Sequence, residues 1–192
     1  MGIYIKMLGE CGIGDDALDR LFGKYGERLL LSTYTQNPES LMSYEGSLLK
    51  NSCNLAENAL RINRVYAEPI RVDEKSVVKV CLLQHISNCE RIVPQTDEWR
   101  RNKLGEKFTY LRDAPSIGIG LHSLVMATSV GIVFNPEEAE AMTIIDKAED
   151  DKQAKYYSSM LAVVVRQANE MLYTQEREYR RIKKAGNGKK GQ

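Results

Sequence analysis

Along most of this chain apolar residues recur at three- and four-residue steps, the period of a helix face. In residues 15–31 the stripe is Leu18, Leu21, Phe22, Tyr25 and Leu29, and Asp15 and Asp16 stand where acidic residues favour a helix start. Residues 45–66 carry Leu48, Leu49, Ser52, Leu55, Ala56, Ala59 and Ile62 on one side. Residues 73–88 open on acidic residues and run Val77, Val80, Cys81, Gln84 and His85 down one face. A helix is expected from about Ser123 to Val130. Asn135-Pro136-Glu137-Glu138 is a strong helix start: Asn caps, Pro is preorganised for the first turn, and Glu138 can close a capping box. A long final helix is expected over 151–184, with Tyr157, Leu161, Val164, Val165, Ala168, Met171 and Leu172 inward.

The pattern breaks in three places. Asn37-Pro38 marks a loop. Residues 94–118 lose the helical period, and WRRNKLGEKFTYL reads as a small hairpin turning at Leu104-Gly105. After Ala185, GNGKKGQ has no apolar residue and reads as a mobile tail. The fold class expected is all-α, a helical bundle with one small β-hairpin insertion. Residues 1–40 read as an N-terminal helical segment packed on the core, 41–175 as the main domain, and 176–192 as a basic helix end and tail.

Composition narrows the function. The 192 residues are 43% hydrophobic and 28% charged, and 27 Lys+Arg nearly cancel 26 Asp+Glu. That is a globular balance without the strongly basic face of a dedicated nucleic-acid binder. The +1 net charge hides an asymmetry: residues 176–192 carry +5 and the rest −4. No apolar run is long enough to span a membrane, and the N-terminus lacks a secretory signal's features, so a cytoplasmic protein is expected. Cys11, Cys53, Cys81 and Cys89 form no C-x-x-C pair and read as reduced, mostly buried thiols rather than zinc ligands. The Gly9, Gly12, Gly14 cluster is followed by Asp15 and Asp16, which would repel a phosphate, so it reads as a turn. No G-x-S-x-G elbow accompanies His85 or His122, the two histidines.

Three segments, EGSLLKNSCNL (45–55), VCLLQHISNCE (80–90) and SIGIGLHSLVMATSVGIVFNPEEAEAM (116–142), resemble in order and spacing the HD-domain superfamily of metal-dependent phosphohydrolases, its small bacterial and phage-borne members above all. Gly46, Leu48, Leu49, Ser52, Leu82, Leu83, Gly118, Gly120, Ser123, Glu137, Glu138 and Ala139 match the family framework. The resemblance covers about residues 40–175 and implies an HD-like helical bundle. It also implies where metal ligands would stand, and there the chain departs from the family. The first ligand His is Asn51; the His-Asp pair is Gln84-His85; the His between two glycines is Ile119; a later His falls near Ile144 or Ile145; the closing Asp is Asn169.

Carboxamides offer a transition metal only a neutral oxygen, and isoleucine offers nothing. Losing the anionic ligands also removes the field that attracts a cation. The expectation is therefore a catalytically inactive homologue with no catalytic residue, no metal and no cofactor. His85 and His122 remain as a weak two-histidine alternative, without a carboxylate to complete it. The former cavity would keep Asn51, Gln84, His85, Asn88, Ile119, His122, Arg166 and Asn169. Amides there suit a nucleobase, and an Arg or protonated His a phosphate, so a nucleotide-like ligand is one reading. Collapse of the cavity, with its amides paired to one another, is the other. A second function class is protein interaction or assembly, the basic C-terminal extension with Tyr173, Tyr179 and Ile182 docking on an acidic partner or nucleic acid. An active phosphohydrolase would need a site rebuilt on Glu57, Glu90, Asp113 or Asp146, which lack histidines at ligand spacing.

Overall fold

The computed structural model describes residues 2–147 and 158–188, with side chains through Lys183. It is a mostly helical structure with one two-stranded antiparallel hairpin, the fold class expected. The helices are α1 (Gly2–Gly9), α2 (Asp15–Leu31), α3 (Ser47–Val65), α4 (Glu74–Leu83), α5 (Asn88–Arg91), α6 (Glu98–Lys103), α7 (Ile119–Ser129), α8 (Pro136–Thr143) and α9 (Met160–Gly188). Single 3-10 turns sit at Glu68–Ile70 and Ile144–Asp146. No helix among the described residues is long and apolar enough to cross a membrane.

The core forms where the apolar stripes meet. α3 packs on α4 and α9, and α8 bridges α9, α7 and α4. Leu48, Leu55, Leu82, Leu83, Leu161, Val164 and Val165 are buried at this junction. α1 docks at the edge, with Tyr4 buried and its hydroxyl donating to the Leu82 carbonyl at 2.8 Å. Between α1 and α2 the glycine cluster makes a turn, with Gly12 at φ +78°, where a side chain would be strained. All four cysteines are free thiols, Cys81 and Cys89 buried and Cys11 and Cys53 half-buried.

Five expected boundaries move. The helix expected over 73–88 ends at Leu83, because the next residues are held by tertiary partners. Gln84 turns its side chain to α8, and the Ser87 N–H goes to Ser123 Oγ at 3.0 Å rather than along the helix. The hairpin's second strand is Phe108–Tyr110, within the expected segment, but its first is Ile92–Pro94, registered Ile92 to Tyr110. The intervening WRRNK is helical (α6), because Asp97 caps it by accepting the Arg100 N–H at 3.0 Å; Gly105 at φ +69° follows its end. α7 begins at Ile119 instead of Ser123. The final helix is described from Met160; residues 158 and 159 are not helical, and 151–157, with Tyr157, lie outside the described residues. At its other end α9 stays helical through Gly188, so residues 186–188 belong to the helix rather than to the expected tail. Ion pairs Glu176–Arg180 at 3.6 Å and Glu178–Arg181 at 3.4 Å lie on the preceding turns of α9.

The Asn135–Glu138 capping box is present as read. Glu138 also takes Lys79 Nζ at 2.7 Å and the Ser76 hydroxyl at 2.8 Å, joining α4 to α8 in a largely buried pair. α7 starts early because its first turn is capped from a distance. The Asp146 carboxylate accepts the N–H groups of Gly120 at 3.0 Å and Leu121 at 2.8 Å, satisfying donors that a helix start leaves bare. This approach explains Gly118 and Gly120. A Cβ on Gly118 would collide with that carboxylate, and one on Gly120 with the Met142 carbonyl.

Gly120→Ala should therefore lower stability by about 1–3 kcal/mol through forced backbone shifts. Gly14→Ala is the control: an added Cβ there meets nothing within 4 Å, at φ −63°. Urea unfolding checks the pair. Equal midpoints for the two variants would contradict the close approach of α7 to the Asp146 turn.

Candidate functional site: a buried carboxamide centre

Gln84, at the end of α4, is completely buried. A buried carboxamide must spend both its donor and its acceptor, and Gln84 does. Its Nε2 donates to the Ala141 carbonyl of α8 at 2.8 Å, and its Oε1 accepts Asn169 Nδ2 of α9 at 2.8 Å. Residues 85 apart in sequence thus meet in one side-chain pair. Asn169 also donates to the Val165 carbonyl one turn earlier, at 3.0 Å.

His85 and Asn88 gather around Tyr34, which enters from the loop between α2 and α3. The Tyr34 and His85 rings lie 4.5 Å apart between centroids, inclined at 33°. The Tyr34 hydroxyl is 3.3 Å from both imidazole nitrogens. An oxygen equidistant from both cannot lie along either in-plane direction, so this is a stacked contact more than a directed hydrogen bond. Burial pulls the His85 pKa down to about 3, because an imidazolium here would lose its hydration without a carboxylate to replace it. Asn88 donates to the Tyr34 carbonyl at 2.9 Å. The Tyr34 N–H goes to Ser47 Oγ at 2.9 Å, and Asn51 Nδ2 to the Ser47 carbonyl at 2.8 Å, so Asn51 joins the network through one turn of α3. Tyr173, a turn beyond Asn169 on α9, lies 6.4 Å from Tyr34 between ring centroids and is half exposed.

The other candidates stand differently. His122 Nε2 is 3.5 Å from Glu90 Oε2 on α5, whose other oxygen takes Arg28 at 3.2 Å. Burial lowers the His122 pKa, with Glu90 opposing and Arg91 reinforcing the shift. None of its hydrogen bonds leads to Gln84 or Asn169. Ile119 contributes its carbonyl, which accepts the Ser87 hydroxyl at 3.0 Å. Arg166 is half-buried on α9, three positions before Asn169. Tyr34, Ser47 and Tyr173 complete the centre. Periodicity could not find Tyr34, which sits in a loop; its one signal is an aromatic residue among small polar neighbours.

The centre's donors do not fit a divalent cation. Its carboxamide oxygens are neutral, and that of Gln84 is occupied by Asn169. Among the described residues no group of three or more His, Cys, Asp and Glu is placed to hold a metal ion. Two acceptors nevertheless stay unused. Asn88 Oδ1 and Asn169 Oδ1 are buried with no hydrogen-bond partner among the described residues. Neither amide can simply be reversed, because each Nδ2 already faces a carbonyl oxygen and a flip would set oxygen against oxygen. An unmatched buried group costs about 1–3 kcal/mol.

A surface cavity of about 440 Å³ lies elsewhere, lined by Arg71, Asp73, Ser76, Asn135, Glu137 and Met160 among others. None of the eight candidates lines it. Its polar groups are largely committed: Arg71 to Glu68 and two carbonyls, Asp73 and Asn135 to helix caps.

No known protein family, curated protein or solved structure matches this chain.

The buried imidazole sets a pH dependence. Between about pH 3 and the ordinary 6.5 of a free imidazole, the unfolded chain binds a proton at His85 that the folded chain refuses. Stability therefore rises with pH in this window and is lost on acidification below about 6.5, by up to about 1.4 kcal/mol per pH unit from this group. Urea unfolding at about pH 7 and pH 5 should show the loss, and His85→Gln should shrink it. An equal loss in the variant would refute the assignment to His85.

Proposed function

We propose that this chain is a catalytically inactive HD-like protein that binds rather than hydrolyses, and that its ligand is nucleotide-like and enters at the carboxamide centre. One observation carries the reading: Gln84 and Asn169 are hydrogen-bonded at the two positions where the sequence resemblance calls for a metal-binding His and the closing metal-binding Asp. The Gln84–Asn169 pair is neutral and joined by one direct hydrogen bond, with Asn169 Oδ1 left over. The neutral amides and His85, whose basicity burial lowers, give only weak activation of a water for in-line attack on phosphorus. The unmatched oxygens of Asn88 and Asn169 give a bound molecule something to pair with. Four free thiols accord with a reducing, cytoplasmic setting.

A second reading, a protein-interaction role, is favoured by α9. Beyond the core it continues to Gly188 as a basic helix, with Tyr179 and Ile182 each 65% exposed. An acidic partner would suit that surface.

Thermal-shift measurements with millimolar nucleosides and nucleotides, in chelator, test the ligand reading. A ligand that binds only the folded chain raises its melting temperature by mass action, and a rise is expected. Incubation of the same nucleotides with added manganese should release no phosphate. No shift with any of them, or chelator-sensitive hydrolysis that Gln84→Leu abolishes, would overturn the proposal.

A further inference from the structure

The chain's formal charge is only +1, yet its cations are unevenly spread. Residues 98–112 carry five basic side chains against two acidic ones, and the end of α9 is basic. The same two stretches hold exposed rings. Trp99, the chain's single tryptophan, stands on α6 and is 61% exposed. Tyr110 on the second strand is 43% exposed, and Tyr173 on α9 47%. Tyr110 and Tyr173 lie near one another: burial raises the Tyr173 pKa, and the Tyr110 phenol adds to the rise. The Tyr173 hydroxyl is hydrogen-bonded to Tyr34, which holds its ring while the residue stays open to solvent. Cations accompany the rings. Lys103 comes four residues after Trp99 on α6, and Arg177 four after Tyr173 on α9, the spacing that sets two helical side chains side by side. Lys107 and Arg112 bracket the strand that carries Tyr110. All four cations are exposed and make no ion pair among the described residues. Most neighbouring carboxylates are already spent: Glu106 on Arg100 at 3.5 Å, Glu176 on Arg180 at 3.6 Å and Glu178 on Arg181 at 3.4 Å.

From this surface we infer that the hairpin and α9 bind single-stranded nucleic acid, with bases stacking on Trp99, Tyr110 and Tyr173 and phosphates meeting the cations beside them. An unpaired base offers a ring face that an exposed aromatic can take, and its backbone brings a negative charge at every nucleotide. A duplex hides those faces in its own stack. An acidic peptide would meet the cations and leave the rings unmatched. A lipid surface suits the site less, because every other residue of α6 is charged or amide-bearing and Trp99 has no continuous apolar face to insert with. The inference does not rest on the ligand reading above: of the three rings, only Tyr173 adjoins the carboxamide centre.

Titration of the full chain with oligothymidylate of about 15 nucleotides tests this, followed by anisotropy of a labelled strand and by Trp99 emission. Binding is expected, with Trp99 quenched, and the corresponding duplex should bind at least about fivefold more weakly. Trp99→Leu, Tyr110→Leu and Tyr173→Leu should each weaken binding at least about fivefold, the low end for one stacked base. Tyr110→Phe and Tyr173→Phe, which keep the ring, should preserve it. Circular dichroism reports folding; should Tyr173→Leu fail to fold, Trp99 and Tyr110 decide the matter. Log affinity should fall against log salt with a slope of about −3 or steeper, from four phosphates at about −0.7 each. No binding overturns the inference, as does a duplex or polyglutamate bound as tightly as the single strand. So does Trp99 emission that shifts with phosphatidylserine vesicles and not with the oligonucleotide. Affinity that is lost with Lys184→Gln, Lys189→Gln and Lys190→Gln together, but kept in the three leucine variants, assigns binding to the tail and also overturns it.

Discussion

The carboxamide of Gln84 is the constraint around which the rest of this molecule is arranged. It is fully buried, so each of its polar atoms must find a partner inside the protein. Those partners lie on two other helices, the end of α8 and the middle of α9. Three helices are thereby fixed at a single point, and α4 stops there because its last side chain and the following backbone answer to tertiary partners. Truncating Gln84 would leave an α8 carbonyl and an Asn169 donor bare in a medium that cannot hydrate them. The consequences run outward. With α4 ended at Leu83, the turn that follows sets His85 against Tyr34, and α5 starts at Asn88 in reach of the Tyr34 carbonyl.

The same logic, a polar group supplied from afar to finish a helix, governs the other side of the core. α7 begins where Asp146 meets its bare N–H groups, and Gly118 and Gly120 exist in that turn because only hydrogen leaves room. Glu138 does comparable work between α4 and α8, completing its own capping box while holding Lys79 and Ser76. The bundle thus owes its layout to apolar stripes and its registration to a few nonlocal polar ties.

This arrangement also decides what the centre can do chemically. Amides, a neutral imidazole and a phenol can read the hydrogen-bonding pattern of a ligand. With its basicity lowered by burial, the imidazole of His85 is a weak general base. The neutral Gln84–Asn169 pair and the unmatched amide oxygens give the proposal of a binding protein its physical basis, while the basic end of α9 supplies the observation behind a partner-binding role.

Much of this was legible in the residue order, and the division follows the range of the forces. Local rules act within a turn or two, so the stripes of α2, α3 and α9, the capping box of α8, the Gly12 turn and the mostly helical class could all be read directly. The resemblance to the HD-domain superfamily marked Gln84 and Asn169 as candidates for one site. Other features needed partners far along the chain: the early start of α7 depends on Asp146 and the end of α4 on Ala141 and Ser123. Tyr34 at the heart of the centre, and the pairing of His122 with Glu90 instead of the amides, were likewise invisible. A hydrogen bond closes only between groups that folding has already brought to about 3 Å, and no periodicity along a chain encodes which distant carbonyl will be waiting there.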